Sequence, residues 1–198
     1  MFVTFEGLDG SGKSTQAELL AEHLRQDGHE VVLTREPGGT ELGERVRELL
    51  LAGGDVSPWA EAALFAAARA ELVARVIRPA LDRGTAVICD RYVDSSLAYQ
   101  GIARGLGVDR VLELNSNATG GLLPERTFLL LVDPELAGRR SGDDPDRIER
   151  EGAGFRTLVD DAYRRLAQEF PGRIVALDGS LPPQEIAARV AEQARELS

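Results

Sequence analysis

The chain is 198 residues long, 43% hydrophobic and 28% charged, with a formal net charge of −10. That length suits one well-cored domain rather than two, the apolar runs are too short to span a bilayer, and the acidity argues against a general nucleic-acid-binding surface. One cysteine, Cys89, precludes an intramolecular disulfide, and with two histidines it makes no zinc constellation.

Met1 leads straight into a strand-like run, Phe2–Glu6, with no basic or apolar presequence, so a cytoplasmic location is expected. Next comes GLDGSGKST, residues 7–15, which opens a helix over about 13–27 that Gly28 stops. A second strand, Glu30–Arg35, passes through EPGG to a helix over 40–52. Ser57 and Pro58 mark the start of a long alanine-rich helix over 58–82, with Gly84 at its end. The third strand, Ala86–Asp90, is followed by Arg91 and Tyr92, and a helix is expected over 107–118. After the fourth strand, Thr127–Asp133, the segment GRRSGDDPDR (138–147) reads as a mobile loop, dense in charge and turn residues. A helix over 147–169, a strand at Arg173–Leu177 and, after Pro182, a helix over 183–197 complete the chain.

Each strand is a short run of Val, Ile, Leu or Phe with little alternation, as in central strands buried on both faces. Strands alternating with helices predict an α/β fold: a five-stranded parallel sheet between two helical layers, residues 1–198 forming one domain. Ligands of such folds bind beyond the carboxyl ends of the strands. The glycine-rich segment, REPGG, DRY and the charged loop all lie just past strand ends.

Gly7-x-x-x-x-Gly12-Lys13-Ser14, between a strand and a helix, is the P-loop pattern. Its glycines, with Leu8, Asp9, Gly10 and Ser11 between them, let consecutive backbone N–H groups turn toward a phosphate. The helix that begins there, with Thr15 in its first turn, adds partial positive charge. Lys13 is the only lysine among 23 Lys and Arg residues. A compact ammonium on a flexible stem suits the β- and γ-phosphates of ATP, where a planar guanidinium fork does not. Ser14 offers a hydroxyl to Mg²⁺. An Asn-Lys-x-Asp guanine-reading motif is impossible once the lone lysine is used, and the length provides no second body for a motor or transporter. A small-molecule phosphotransferase remains.

FEGLDGSGKST, TREPGGTELGERVRELLL, LFAAARAE, DRYVDSSLAYQG and DRIEREG together resemble the bacterial thymidylate kinase family, in the family's order and spacing. The resemblance implies a P-loop fold with a short lid over about 138–150, transfer of the γ-phosphate of ATP to dTMP, dependence on Mg²⁺, and a homodimer. It implies no nucleic-acid or membrane partner. Kinases of another nucleoside monophosphate or of a deoxynucleoside are the nearest alternatives, and a non-catalytic ATP-driven regulator is the alternative of a different class.

The resemblance also gives individual residues roles. Asp90 would hold Mg²⁺ with Ser14, its alternative being a strand-end cap. Arg91 would bind the acceptor phosphate, with Arg35 and Arg47 as further acceptor-site arginines, whose forks suit a phosphate monoester. Phe65 would stack on thymine and Arg69 donate to its O4, the two sharing one helix face at i,i+4. Ser96 and Gln100 would make polar contacts to the base, the glutamine on the N3 side, and Tyr99 would crowd the 2′ position of the sugar. Asp9 would lie near the 3′-hydroxyl, while Glu36 and Pro37 shape the acceptor loop, Glu36 orienting Arg69 or a site water. The P-loop itself has no arginine, so catalytic charge is expected from the lid, where Arg139, Arg140 and Arg147 are candidates. Gly142 or Asp143 stands near where relatives often carry another arginine. No proton-abstracting base is required, because the acceptor oxygen is already anionic and positioning with charge neutralisation dominates.

Overall fold

A computed structural model describes residues 1–142 and 146–197; the lid position Asp143 lies outside them. Five strands form one sheet: β1 (Phe2–Gly7), β2 (Val31–Arg35), β3 (Ala86–Asp90), β4 (Arg126–Leu131) and β5 (Ile174–Asp178). Their order is β2-β3-β1-β4-β5, and every pairing is parallel. The expected strands are all present, Ala86–Asp90 with the bounds expected and the other four with one or both ends shifted by one or two residues.

Both faces of the sheet are covered. Val3, Phe5, Ile88, Phe128 and Leu130 pack against Leu20 and Leu24 of α1 (Lys13–Gln26) and Ile186 and Val190 of α9 (Pro183–Arg195). On the opposite face Phe2, Val87 and Cys89 meet Leu72 at the end of α3 (Pro58–Leu72), and Leu129 meets Tyr163 and Leu166 of α8 (Gly152–Glu169). Each such side chain contributes about 1.5–3 kcal/mol on burial, so the central strand β1 is a rigid mount for the glycine-rich loop at its end. Register then aligns the carboxyl ends of the strands: Asp90 pairs with both Phe5 and Arg35, and Gly7 with Leu130. None of the described helices is long and apolar enough to cross a membrane.

α2 (Glu41–Leu51) starts at Thr40, whose hydroxyl accepts from Gly43 N. The expected helix over 58–82 is interrupted. α3 gives way to a π-helical turn, Val73–Ile77, before α4 (Arg78–Asp82). Pro79 has no N–H to give to the preceding turn, and Arg78 N reaches back five residues to Val73 O. A second π-helical segment, Leu97–Ala103, extends α5 (Val93–Ser96) through a stretch for which the sequence predicts no helix, ahead of α6 (Val108–Thr119). The loop expected over 138–147 also needs correcting. Its start belongs to α7 (Pro134–Arg140), capped by Asp133 Oδ1 accepting from Glu135 N and Leu136 N at 3.0 and 3.1 Å. Asp133-Pro134 is a cap-and-first-turn signature, so Asp133 opens a helix rather than ending a strand. The next helix, α8, begins at Gly152 rather than 147, after a 3₁₀ turn at Glu149–Glu151.

Candidate active site

The glycine-rich loop is tight because its neighbours demand it. A Cβ on Gly7 (φ 137°) would sit 2.5 Å from Leu130 O, and one on Gly10 (φ 79°) would collide with the Ala137 carbonyl of α7. Leu8 and Ser11 are buried behind the loop. Gly10, Gly12, Lys13, Ser14 and Thr15 line an open cleft together with Asp9, Arg35, Glu36, Arg47, Asp90, Arg91 and Arg140. Lys13, 6% exposed, donates from Nζ to Leu8 O at 2.7 Å and lies 3.6 Å from Asp9. Burial, then the charge of Arg91, pull its pKa below the usual lysine value, against the opposing pull of Asp9 and Asp90. Ser14 Oγ donates to Asp90 Oδ2 at 2.5 Å, so the two expected metal ligands already converge.

A second cleft adjoins the first. Asp9, Glu36, Pro37, Arg47, Phe65, Arg91, Ser96, Tyr99 and Gln100 line it, with Ser95 and Ile148. Asp9, Glu36, Arg47 and Arg91 thus face both clefts. Burial opposes charge on Asp9, but Arg91 and Lys13 outweigh it and hold the carboxyl well below the ordinary aspartate range.

Arg91 is the only described non-glycine residue at positive φ, 68°. Its guanidinium donates to Asp9 Oδ1 at 2.6 Å and to Ser95 Oγ and Tyr163 Oη at 3.1 Å, and it lies 5.5 Å from the Tyr99 ring centre. Beneath it is Glu6, to which the sequence alone assigns no role. Its buried carboxylate accepts from Tyr92 N, Ser95 Oγ and Tyr163 Oη at 2.8, 2.6 and 2.9 Å. Burial, then Asp94, raise its pKa above the usual glutamate value. Glu6 therefore fixes the groups that fix Arg91. The one signal for it in the sequence is a charged residue ending an otherwise apolar strand.

Arg69 is oriented by Glu36, one of the two roles expected of that carboxylate. The arginine is 1% exposed and is not part of either cleft lining. Its Nε and Nη2 meet Glu36 Oε2 at 2.7 and 2.6 Å, Nη1 meets Ser96 Oγ and Asn115 Oδ1, and Nη2 also donates to Tyr92 O at 2.9 Å. Four of the five N–H donors make hydrogen bonds this way, and the second Nη2 contact, to Glu36, is an ion pair. Glu36 keeps Oε1 buried without a partner among the described residues, and burial, partly offset by Arg69, pushes its pKa up to about 7.

The remaining arginines separate. Arg47 donates to Pro37 O at 3.1 Å, both residues lining the second cleft, whereas Arg35, 56% exposed, is turned to Glu44 at 3.1 Å. Of the lid candidates only Arg140 lines the P-loop cleft, reaching Gly179 O at 3.4 Å. Arg139 is exposed at the end of α7. Arg147 is drawn away, donating to Leu50 O at 2.7 Å and Glu61 Oε2 at 2.6 Å.

The model of the family described as Thymidylate kinase matches residues 5–190. The chain belongs to the thymidylate kinase family. A thymidylate kinase of Symbiobacterium thermophilum is 50% identical over 94% of this chain and 88% of its own length. One from Thermomicrobium roseum is 51% identical over 96% and 91%. The crystal structure of thymidylate kinase from Ehrlichia chaffeensis superposes with a TM-score of 0.76 at 37% identity, covering 89% of this chain and 91% of that one. The P-loop and the joined clefts therefore sit in a thymidylate kinase framework.

Proposed function

We propose that the P-loop cleft binds ATP, the adjoining cleft binds dTMP, and the enzyme transfers the γ-phosphate between them to give dTDP and ADP. The observation that carries this is the sharing of Arg91 and Arg47 by the two clefts: a phosphate held there is within reach of both. Lys13 and the inward-facing backbone N–H groups serve the donor phosphates. Arg91, clamped by Asp9, Ser95 and Tyr163, presents its fork to the acceptor phosphate, with Arg47 beside it. Phe65 offers a ring face to the base from α3, and Tyr99 closes the sugar side. Arg140 is the lid arginine placed to meet charge on the transferring group.

The oxygen pair Ser14 and Asp90 is a hard donor set that fits Mg²⁺, whose remaining ligands are normally waters and phosphate oxygens. When bound, the ion neutralises charge on the phosphate oxygens. The chain's own part is to orient: an anionic acceptor oxygen needs no deprotonation, and holding it in line is where the rate arises. The family resemblance supports a homodimer, which light scattering on the purified protein tests directly.

The deciding experiment is a coupled ADP-release assay across a panel of nucleoside monophosphates. Turnover that depends on dTMP and exceeds that with dCMP and AMP is expected. Faster turnover with another monophosphate would favour a different kinase, and slow hydrolysis indifferent to any acceptor would favour a regulator.

A further inference from the structure

Behind the wall of the acceptor cleft, α3 carries a buried carboxylate, Glu61, that is 1% exposed. Arg147 Nη2 lies 2.6 Å from its Oε2, Arg104 approaches both oxygens at 3.3 Å, and Gln100 Nε2 donates to Oε1 at 2.9 Å. Burial opposes its charge, but Gln100 and the two arginines outweigh burial and hold its pKa below the usual glutamate value.

The chemistry of this cluster fixes an orientation. An ionised carboxylate only accepts hydrogen bonds, so Gln100 must turn its amide nitrogen toward Glu61. That leaves the amide oxygen for the cleft that Gln100 lines, and none of the described residues donates to it. The cleft then presents an acceptor at this point, not a donor.

We propose that Glu61 is a positioning residue for base selection: it locks the Gln100 amide with oxygen toward the cleft, so that the site takes a pyrimidine carrying a hydrogen at N3 and rejects one with a lone pair there. This rests on the reading of the cleft as the dTMP site. Thymine has the N3 hydrogen; cytosine does not. Two facing acceptors leave a buried group unpaired, which is worth roughly ten- to a hundredfold in binding. Arg147 arrives from the segment that returns from the lid, and Arg104 is also paired with Glu151 at 2.8 Å just beyond it. The lid's return and the base reader therefore lean on one carboxylate. A Glu61 that only neutralised the two arginines would affect stability and leave base choice untouched.

The test is Glu61→Gln, because a neutral amide can face Gln100 with either its oxygen or its nitrogen and so releases the lock. Steady-state kinetics with dTMP and dCMP are measured beside thermal unfolding. KM for dTMP should rise about tenfold, and the kcat/KM ratio of dTMP over dCMP should fall about tenfold, the low end of the unpaired-acceptor range. The loss should fall mainly on KM. In a Gln100→Ala background the same substitution should leave the ratio where Gln100→Ala puts it. If Glu61→Gln does not fold, Glu61→Asp keeps a charge for both arginines while withdrawing the carboxylate from Gln100, and the same fall in ratio is expected. A parental ratio in any folded Glu61 variant overturns the proposal, as does an undiminished effect in the Gln100→Ala background. Absence of dTMP-dependent turnover in the parent would instead defeat the reading of the cleft, and it shows before any substitution is made.

Discussion

Arg91 Nη2 and Asp9 Oδ1 meet at 2.6 Å and join two segments that come from different strands. Asp9 belongs to the loop after β1, and Arg91 comes directly after β3, adjacent to it in the sheet. The pair joins the P-loop cleft to the cleft beside it, both of which Asp9 and Arg91 line. Lys13, 3.6 Å from the same carboxylate oxygen, makes Asp9 the shared counter-ion of two cations that repel one another.

That arrangement predicts a division of labour between the two cations. Lys13→Ala should abolish transfer while leaving dTMP binding, read by calorimetry, close to parental. Arg91→Ala should lose both, with kcat/KM down by about 10³ or more, as for arginines acting on phosphoryl charge. Equal loss of dTMP affinity in the two variants would show that the clefts do not divide donor from acceptor.

The Ser14–Asp90 contact predicts metal dependence. Asp90→Asn keeps size and one acceptor oxygen but removes the charge, so turnover should fall and recover in part as Mg²⁺ is raised. The unchanged Mg²⁺ titration of a fully active variant would mean that Asp90 only caps the end of β3.

Much of this arrangement is legible in the sequence, because each piece lies past a strand end and the strands are apolar runs of ordinary length. Gly7, Gly12, Lys13 and Ser14 alone place the P-loop. What escapes a reading of the sequence is the set of contacts made by charge inside the fold. Nothing in the spacing of Glu61 or Glu6 says that three residues will converge on each carboxylate, since those partners come from elements far apart in the chain. The i,i+4 relation of Arg69 to Phe65 puts both on one helix face and suggests that both meet the base. The spacing gives no sign of the further partners that hold the Arg69 guanidinium, Ser96, Asn115 and Tyr92 O. α7 hides in the sequence because its cap, Asp133, directly continues the apolar run of β4.

The Glu36–Arg69 pair predicts how stability changes with pH. The pKa of Glu36 in the folded chain is about 7, raised from an ordinary value of 4.5 chiefly by burial. The folded state therefore binds more protons than the unfolded one between those values. The stability this group contributes is fully present below about pH 4.5 and is lost as pH rises through 7. Subtracting a Glu36→Gln curve from the parental urea-unfolding curve isolates that loss, on the order of 3 kcal/mol across the window. A flat difference from pH 5 to 8 would mean that Glu36 stays charged throughout. Arg69→Ala should cost about 1–3 kcal/mol for each buried acceptor it strands, Asn115 Oδ1 and Tyr92 O foremost, while Glu36 takes up a proton.

The lid arginines give the sharpest distinction. The P-loop carries no arginine, so any arginine that meets charge on the transferring phosphoryl group, beside Lys13, must come from outside it. Arg140 alone of the three candidates lines the P-loop cleft, and it is mounted on α7, a helix whose Ala137 carbonyl packs directly over Gly10. Arg139 is exposed at the same helix end. Arg147 is tied by two contacts to α2 and α3 and would have to break both to reach the donor side. Arg140→Ala should therefore lower kcat by about a hundredfold or more, scaled down from the effect of arginines on transition-state charge, with dTMP affinity little changed. Arg139→Ala should stay within about threefold of the parent, as for a surface charge. Arg147→Ala should act on KM for dTMP rather than on kcat, because the carboxylate it supports, Glu61, holds Gln100 of the acceptor wall. A kcat loss confined to Arg147→Ala would mean that the lid rearranges on ATP binding to bring that arginine across, and Arg140 would then be left holding only Gly179.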